Sequence, residues 1–118
     1  MVSIKNELIK EVNEIITYPV LSVYPKDRIV PVCIIQETSN LSIRYRPDSS
    51  QVVYRFSLYS KNLTELKAEY KLLDDYMLGL GFDRSNYIEN DSEIIHSITV
   101  SYEAVVRQEG DVYKIYRI

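Results

Sequence analysis

Residues 51–60 alternate without a break. Val52, Tyr54, Phe56 and Leu58 fall on one side, and Val53, Arg55, Ser57 and Tyr59 on the other. A period of two marks a strand with one buried face. Residues 94–107 repeat the pattern, with Ile94, His96, Ile98, Val100, Tyr102 and Ala104 on one side. Two long strands, each apolar mainly on one face, commit the chain to a sheet covered on one side.

Two helical stripes can supply that cover. Ile4, Leu8, Val12 and Ile15 share one arc, widened by Ile9 and Ile16, while Glu7, Lys10, Glu11 and Glu14 lie opposite. Ser3 fits the N-cap, and Pro19 ends the pattern by disfavouring helix at Tyr18. The second helix follows the strand at residues 51–60 directly. Asn62 fits its N-cap, and Glu65 stands three positions on, as in a capping box. Leu63, Leu66, Tyr70, Leu73, Met77 and Leu80 form its stripe. Gly81 fits the left-handed position that ends the helix, with Phe82 closing on Met77. Gly79 then sits inside the last turn, at a cost of about 1 kcal/mol.

The remaining segments complete the sheet. Residues 20–24 read as extended, and Pro25, Lys26 and Asp27 as a turn. Pro31 cannot donate to a ladder, so it belongs at a strand start or edge, and a strand is expected over residues 32–37. Thr38, Ser39 and Asn40 read as a loop. Residues 41–46 alternate again, and Pro47, Asp48, Ser49 and Ser50 read as the tip of a hairpin. Residues 83–90 are polar and read as loop, residues 108–111 as a turn, and residues 112–118 as a returning strand. A chain of 118 residues suits one domain with one core. The expected fold class is α+β: a mostly antiparallel β-sheet with two helices packed on one face.

Little in this pattern carries chemistry. Glu93 and His96 have the spacing of half a di-iron helix motif, but the surrounding period of two places them on opposite faces of a strand. Asp74 and Asp75 point about 100° apart on a helix and read as solvated charges. Gly79 and Gly81 follow a helix, whereas a dinucleotide fingerprint opens one. Cys33, the single cysteine, lies in an apolar run and reads as a small buried hydrophobe. No catalytic, cofactor-binding or metal residue is assigned, and no cofactor is expected.

The net charge of −3 argues against sequence-specific nucleic-acid binding, which needs a clustered basic surface. Arg44, Arg46 and Arg55 are the one local basic concentration, read as exposed arginines on a strand face. No apolar run approaches the roughly 20 residues of a membrane span, so no membrane partner is expected. The first seventeen residues have helical spacing, not the layout of an export signal, so residence in the cytoplasm is expected. Eleven tyrosines without a tryptophan suit half-buried strands and interfaces.

Leu72 and Tyr76 exceed the needs of the second helix. They are an i, i+4 pair about 100° from its stripe, and they face either a partner subunit or the first helix.

The order of elements resembles a known family. An amphipathic helix precedes a proline-led strand, Pro31-Val-Cys-Ile-Ile35. An aromatic strand, Tyr54-Arg-Phe-Ser-Leu-Tyr59, runs into a helix that ends in Leu80-Gly81-Phe82. A long strand carrying His96-Ser-Ile-Thr-Val-Ser-Tyr102 follows. This layout, over nearly the whole chain, resembles the tail-terminator and tail-completion (neck) proteins of long-tailed phages and prophage elements.

The resemblance implies structural work. Such proteins form a ring, commonly a hexamer, that caps the tail tube and offers the surface to which the filled head is joined. The implied partners are further copies of the chain, the tail tube protein and a head-completion or connector protein. The implied locations are the bacterial cytoplasm during assembly and then the virion neck. Positions that match family contacts are Leu72 and Tyr76, the segment Thr38, Ser39 and Asn40, the segment Pro47, Asp48, Ser49 and Ser50, and the C-terminal strand. Two other readings stay open. One is an adaptor that binds a protein through a sheet edge. The other is a small hydrolase or transferase, which requires a pocket with convergent polar groups.

Overall fold

In the computed structural model, residues 2–27 and 29–118 are described. Their elements run α1 (Lys5–Ile15), β1 (Val20–Leu21), β2 (Val32–Ile43), β3 (Arg46–Ser60), α2 (Leu63–Leu80), β4 (Asp83–Asp91), β5 (His96–Glu109) and β6 (Val112–Tyr116). One sheet has the order β1-β2-β3-β5-β4, with β6 also paired to β5. All its pairs are antiparallel except the short β1–β2 contact. β4 covers the outer edge of β5 from His96 to Glu103, and β6 continues along that edge from Val105 to Glu109. The fold is therefore α+β, as the periodicities require.

The two alternating runs set the core. Val52, Tyr54, Phe56 and Leu58 of β3 pair with Ala104, Tyr102, Val100 and Ile98 of β5, and all eight are buried. Leu66, Leu73 and Met77 of α2 and Leu8 and Val12 of α1 close over this face. The opposite face of β3 carries Val53, Arg55, Ser57 and Tyr59 and stays partly open. On that face Tyr24 stacks edge-on against Tyr59 at 5.3 Å.

Both helix ends follow from local chemistry. The Asn62 side chain accepts from the Glu65 N–H at 3.0 Å. Gly81 has φ 108°, its N–H reaches the Leu78 carbonyl at 3.1 Å, and the Phe82 N–H reaches Met77 at 3.2 Å. Helix α1 departs from expectation. Its N-cap is Ile4 with no side-chain hydrogen bond, and Ile16, just past the helix, is buried where Ile15 is exposed. Ser3 instead donates to Glu37 of β2 at 2.7 Å.

Four expectations about the strands need correction. Thr38, Ser39 and Asn40 are not a loop: β2 continues through them, and the register shift between Glu37 and Ser39 leaves Thr38 as a bulged residue. Pro47, Asp48, Ser49 and Ser50 are not the hairpin tip. The chain reverses at Arg44 and Tyr45, and Ile43 pairs with Arg46. Ser42 next pairs with Ser50, so Pro47, Asp48 and Ser49 form an extra stretch of β3 with no partner on β2. Proline lacks the N–H a ladder needs, so it sits in this irregularity at no loss.

Residues 83–90 are not loop but the edge strand β4. Its hydrogen bonds to β5 hold it in the sheet although it buries almost nothing. Finally, β5 begins at His96, so Ile94 and Glu93 lie in the bend before it.

The β2–β3 hairpin is long, with strands of 12 and 15 residues, and the molecule extends 50 Å along its longest axis against 24 and 21 Å across.

Candidate interaction surface

Several residues marked as interface candidates serve the fold itself. Asn40 donates to the Val2 carbonyl at 2.8 Å, and Ser50 accepts from the Val2 N–H at 2.8 Å. Tyr54 completes this attachment of the N-terminal segment. Its hydroxyl accepts from the Ile4 N–H at 3.0 Å and donates to Glu37 at 2.9 Å. Burial pushes the Tyr54 phenol up to about 12, so it stays a neutral donor. Ser49 and Ser50 are buried and offer no contact surface. Asp48 pairs with Arg107 of β5 at 3.1 Å. Of this group, Thr38 and Pro47 remain exposed.

Leu72 and Tyr76 separate. The Tyr76 hydroxyl donates to Glu11, so this side chain turns to α1. Burial, then the Glu11 carboxylate, raises its phenol above the ordinary range. Leu72 stays 47% exposed on α2.

Asp74 is not a solvated charge. It accepts from the buried Tyr102 hydroxyl at 2.8 Å and from Arg84 at 3.2 Å, and Arg84 also donates to Tyr70 at 2.6 Å. The network joins α2 to β4 and β5. Asp75 is exposed, as expected. His96 lies at the start of β5 with Nδ1 2.8 Å from Asp91, and Glu93 is not part of that contact. Cys33 is fully buried, and burial raises its thiol well above the ordinary value.

Two surfaces escaped the sequence reading. The first is the hairpin tip. Tyr45 is 84% exposed and has φ 66°, and the Arg44 guanidinium sits 4.9 Å from its ring centre. A left-handed backbone costs a side-chain-bearing residue roughly 1–2 kcal/mol, and glycine or asparagine would avoid most of it. Leu41, 60% exposed, stands just behind the tip. Among the described residues, neither Arg44 nor Arg46 has an ion-pair partner. The available signal was a tyrosine between two arginines at the end of an alternating run, but the Pro-Asp-Ser cluster drew the turn three residues on.

The second is a groove of about 310 Å³ between α1 and β6. Leu8, Leu80 and Ile115 form its apolar floor, and Glu7, Glu11 and Asp111 stand at its rim. These three carboxylates make no ion pair among the described residues. The groove lies on the helix-covered side of the sheet. Ile43 and Arg46 of the hairpin share a separate hollow with Val105 and Tyr116 on the open side.

No protein-family model matches the chain, and no curated protein sequence matches it. No helix among the described residues is long and apolar enough to cross a membrane.

Proposed function

We propose that the protein is a structural subunit of a phage or prophage tail. Copies assemble as a ring on the end of the tail tube, stop its growth and present the surface that receives the head. The proposed partners are other copies of the chain, the tube protein and a head-completion protein. The proposed setting is the bacterial cytoplasm during assembly and the virion neck afterwards.

One observation carries the reading: exposed surfaces of unlike charge sit at separate places on one small subunit. A closed ring needs a heterologous contact, in which one patch meets a different patch on the next copy. The basic, aromatic tip at Arg44 and Tyr45 and the acid-rimmed groove beside α1 are two such patches. The element order that resembles tail-terminator proteins adds to it.

Electron microscopy tests the proposal, with the purified protein added to phage tail tubes. Rings alone or on tube ends are the expected result. Tubes left bare at both ends, with no rings anywhere, would overturn it.

The outer edge of β4 favours a second reading. Its outer backbone has no neighbouring strand among the described residues, and Tyr87 and Ile88 are exposed along it. Such an edge can accept a peptide as an added strand, as an adaptor does. This reading expects a stable monomer and loss of binding when a proline replaces Ile88.

A further inference from the structure

We propose that residues 44–46 of one copy dock in the α1–β6 groove of a second copy, head to tail. The occupant is read from complementary charge. The tip carries two guanidiniums without ion-pair partners among the described residues, and the groove rim carries Glu7 and Asp111 in the same condition, with Glu11, which accepts from Tyr76, beside them. Between the charges, the chemistry also matches. Tyr45 and Leu41 are large, apolar and exposed, and the floor of Leu8, Leu80 and Ile115 is apolar. An aromatic anchor in an apolar pocket with a charged rim is the usual anatomy of a strong contact.

The backbone at Tyr45 points the same way. A tyrosine at φ 66° is strained, and its ring lies 4.9 Å from the guanidinium of its neighbour Arg44. Strain at an exposed aromatic is retained where the side chain has work outside the subunit. Tip and groove are different patches, so docking one in the other head to tail is a heterologous contact. It propagates from copy to copy until it closes into a ring or continues as a filament. This contact specifies the partner surface of the ring proposed above and rests on that proposal.

The test follows the full-length chain by sedimentation across protein and salt concentration, alone and with tail tubes. Self-association that weakens with salt is expected. Arg44→Glu with Arg46→Glu should raise the dissociation constant at least about tenfold, and so should Glu7→Lys with Asp111→Lys, because each sets like charges together. Mixing these two variants should recover association in which they alternate, because the reversed tip then meets the reversed groove and the native tip meets the native groove. Tyr45→Gly relieves the backbone strain, so it should weaken association while the melting temperature holds or rises.

If the wild type associates and these variants associate equally well, this contact is wrong while the ring reading stands. If tip variants lose tube capture but keep self-association, the tip serves another partner and the proposal is likewise overturned. A chain that stays monomeric at every concentration, on tubes as well as alone, overturns both.

Discussion

The Glu69 carboxylate, 3% exposed on α2, accepts from the Thr17 N–H at 3.0 Å and also from the Thr17 hydroxyl. It thereby satisfies backbone just past the C-terminus of α1, where chain leaving a helix lacks internal partners. Burial raises the Glu69 carboxyl above its ordinary value, while the Thr17 hydrogen bond works against that shift. Neighbouring Glu65 adds to the rise. A carboxyl with a raised folded-state pKa binds its proton more tightly folded than unfolded. Its contribution to stability is therefore largest below the unfolded pKa and falls as pH rises through the folded value. Glu69→Gln keeps an acceptor oxygen and removes the titration. Urea unfolding should show the wild type gaining on this variant between pH 7 and pH 4. An unchanged gap would mean that Glu69 does not titrate in that window.

The buried Tyr102 hydroxyl and the half-buried Asp74 carboxylate form a second such pair. Tyr102→Phe should cost about 0.5–1.5 kcal/mol, the worth of one hydrogen bond. Asp74→Ala should cost about 1–3 kcal/mol, because it leaves a buried hydroxyl without a partner. The double variant should cost less than the sum, since the second change removes a group already orphaned by the first. Denaturant midpoints of the four proteins measure the coupling. Strict additivity would show that the contact contributes nothing.

What the sequence revealed divides along physical lines. Period-two and period-3.6 patterns report burial, so β3, β5 and both helices were legible from Val52, Tyr102, Leu8 and Leu73. Asn62 and Gly81 were legible because capping is local chemistry. β4 was hidden because an edge strand that buries almost nothing carries no apolar rhythm; its pairing partner, β5, holds it in place. The hairpin tip was misplaced because proline marks any site that lacks a ladder N–H, and a bulge satisfies that as well as a turn does. Asn40 and Ser50 read as loop polarity because their partner, the backbone of Val2, is 38 and 48 residues away in sequence. The groove rim was unreadable for the same reason: Glu7 and Asp111 meet only through tertiary packing.

The two glycines near the end of α2 should respond in opposite senses. A methyl group at Gly79 meets nothing within 4 Å, and its backbone is helical. Gly79→Ala should stabilise by about 0.5–1 kcal/mol, through lower unfolded-state entropy and better helix propensity. At Gly81 the backbone has φ 108°, and a Cβ would lie 3.2 Å from the Ile115 carbonyl oxygen on β6. Gly81→Ala should destabilise by roughly 1–3 kcal/mol. Thermal melts of the two single variants decide it. Equal shifts of one sign would place the helix end elsewhere.

Adjacent leucines on α2 should separate folding from assembly. Leu73 is fully buried in the core, so Leu73→Ala should cost about 2–5 kcal/mol, as truncation of a buried leucine does. Leu72 is 47% exposed beside it, so Leu72→Asp should leave unfolding within about 0.5 kcal/mol of wild type. A charge introduced there burdens any partner surface that buries it. If α2 meets a neighbouring subunit or the tube, Leu72→Asp will therefore lower the fraction of protein in rings or on tube ends, without changing the melt. Calorimetry and negative-stain counting on the same samples separate the two effects. A melt that collapses in Leu72→Asp would put Leu72 inside the folded core. Intact rings at wild-type abundance would move the subunit contact off α2, leaving the hairpin tip and the α1–β6 groove as the surfaces that join one copy to the next.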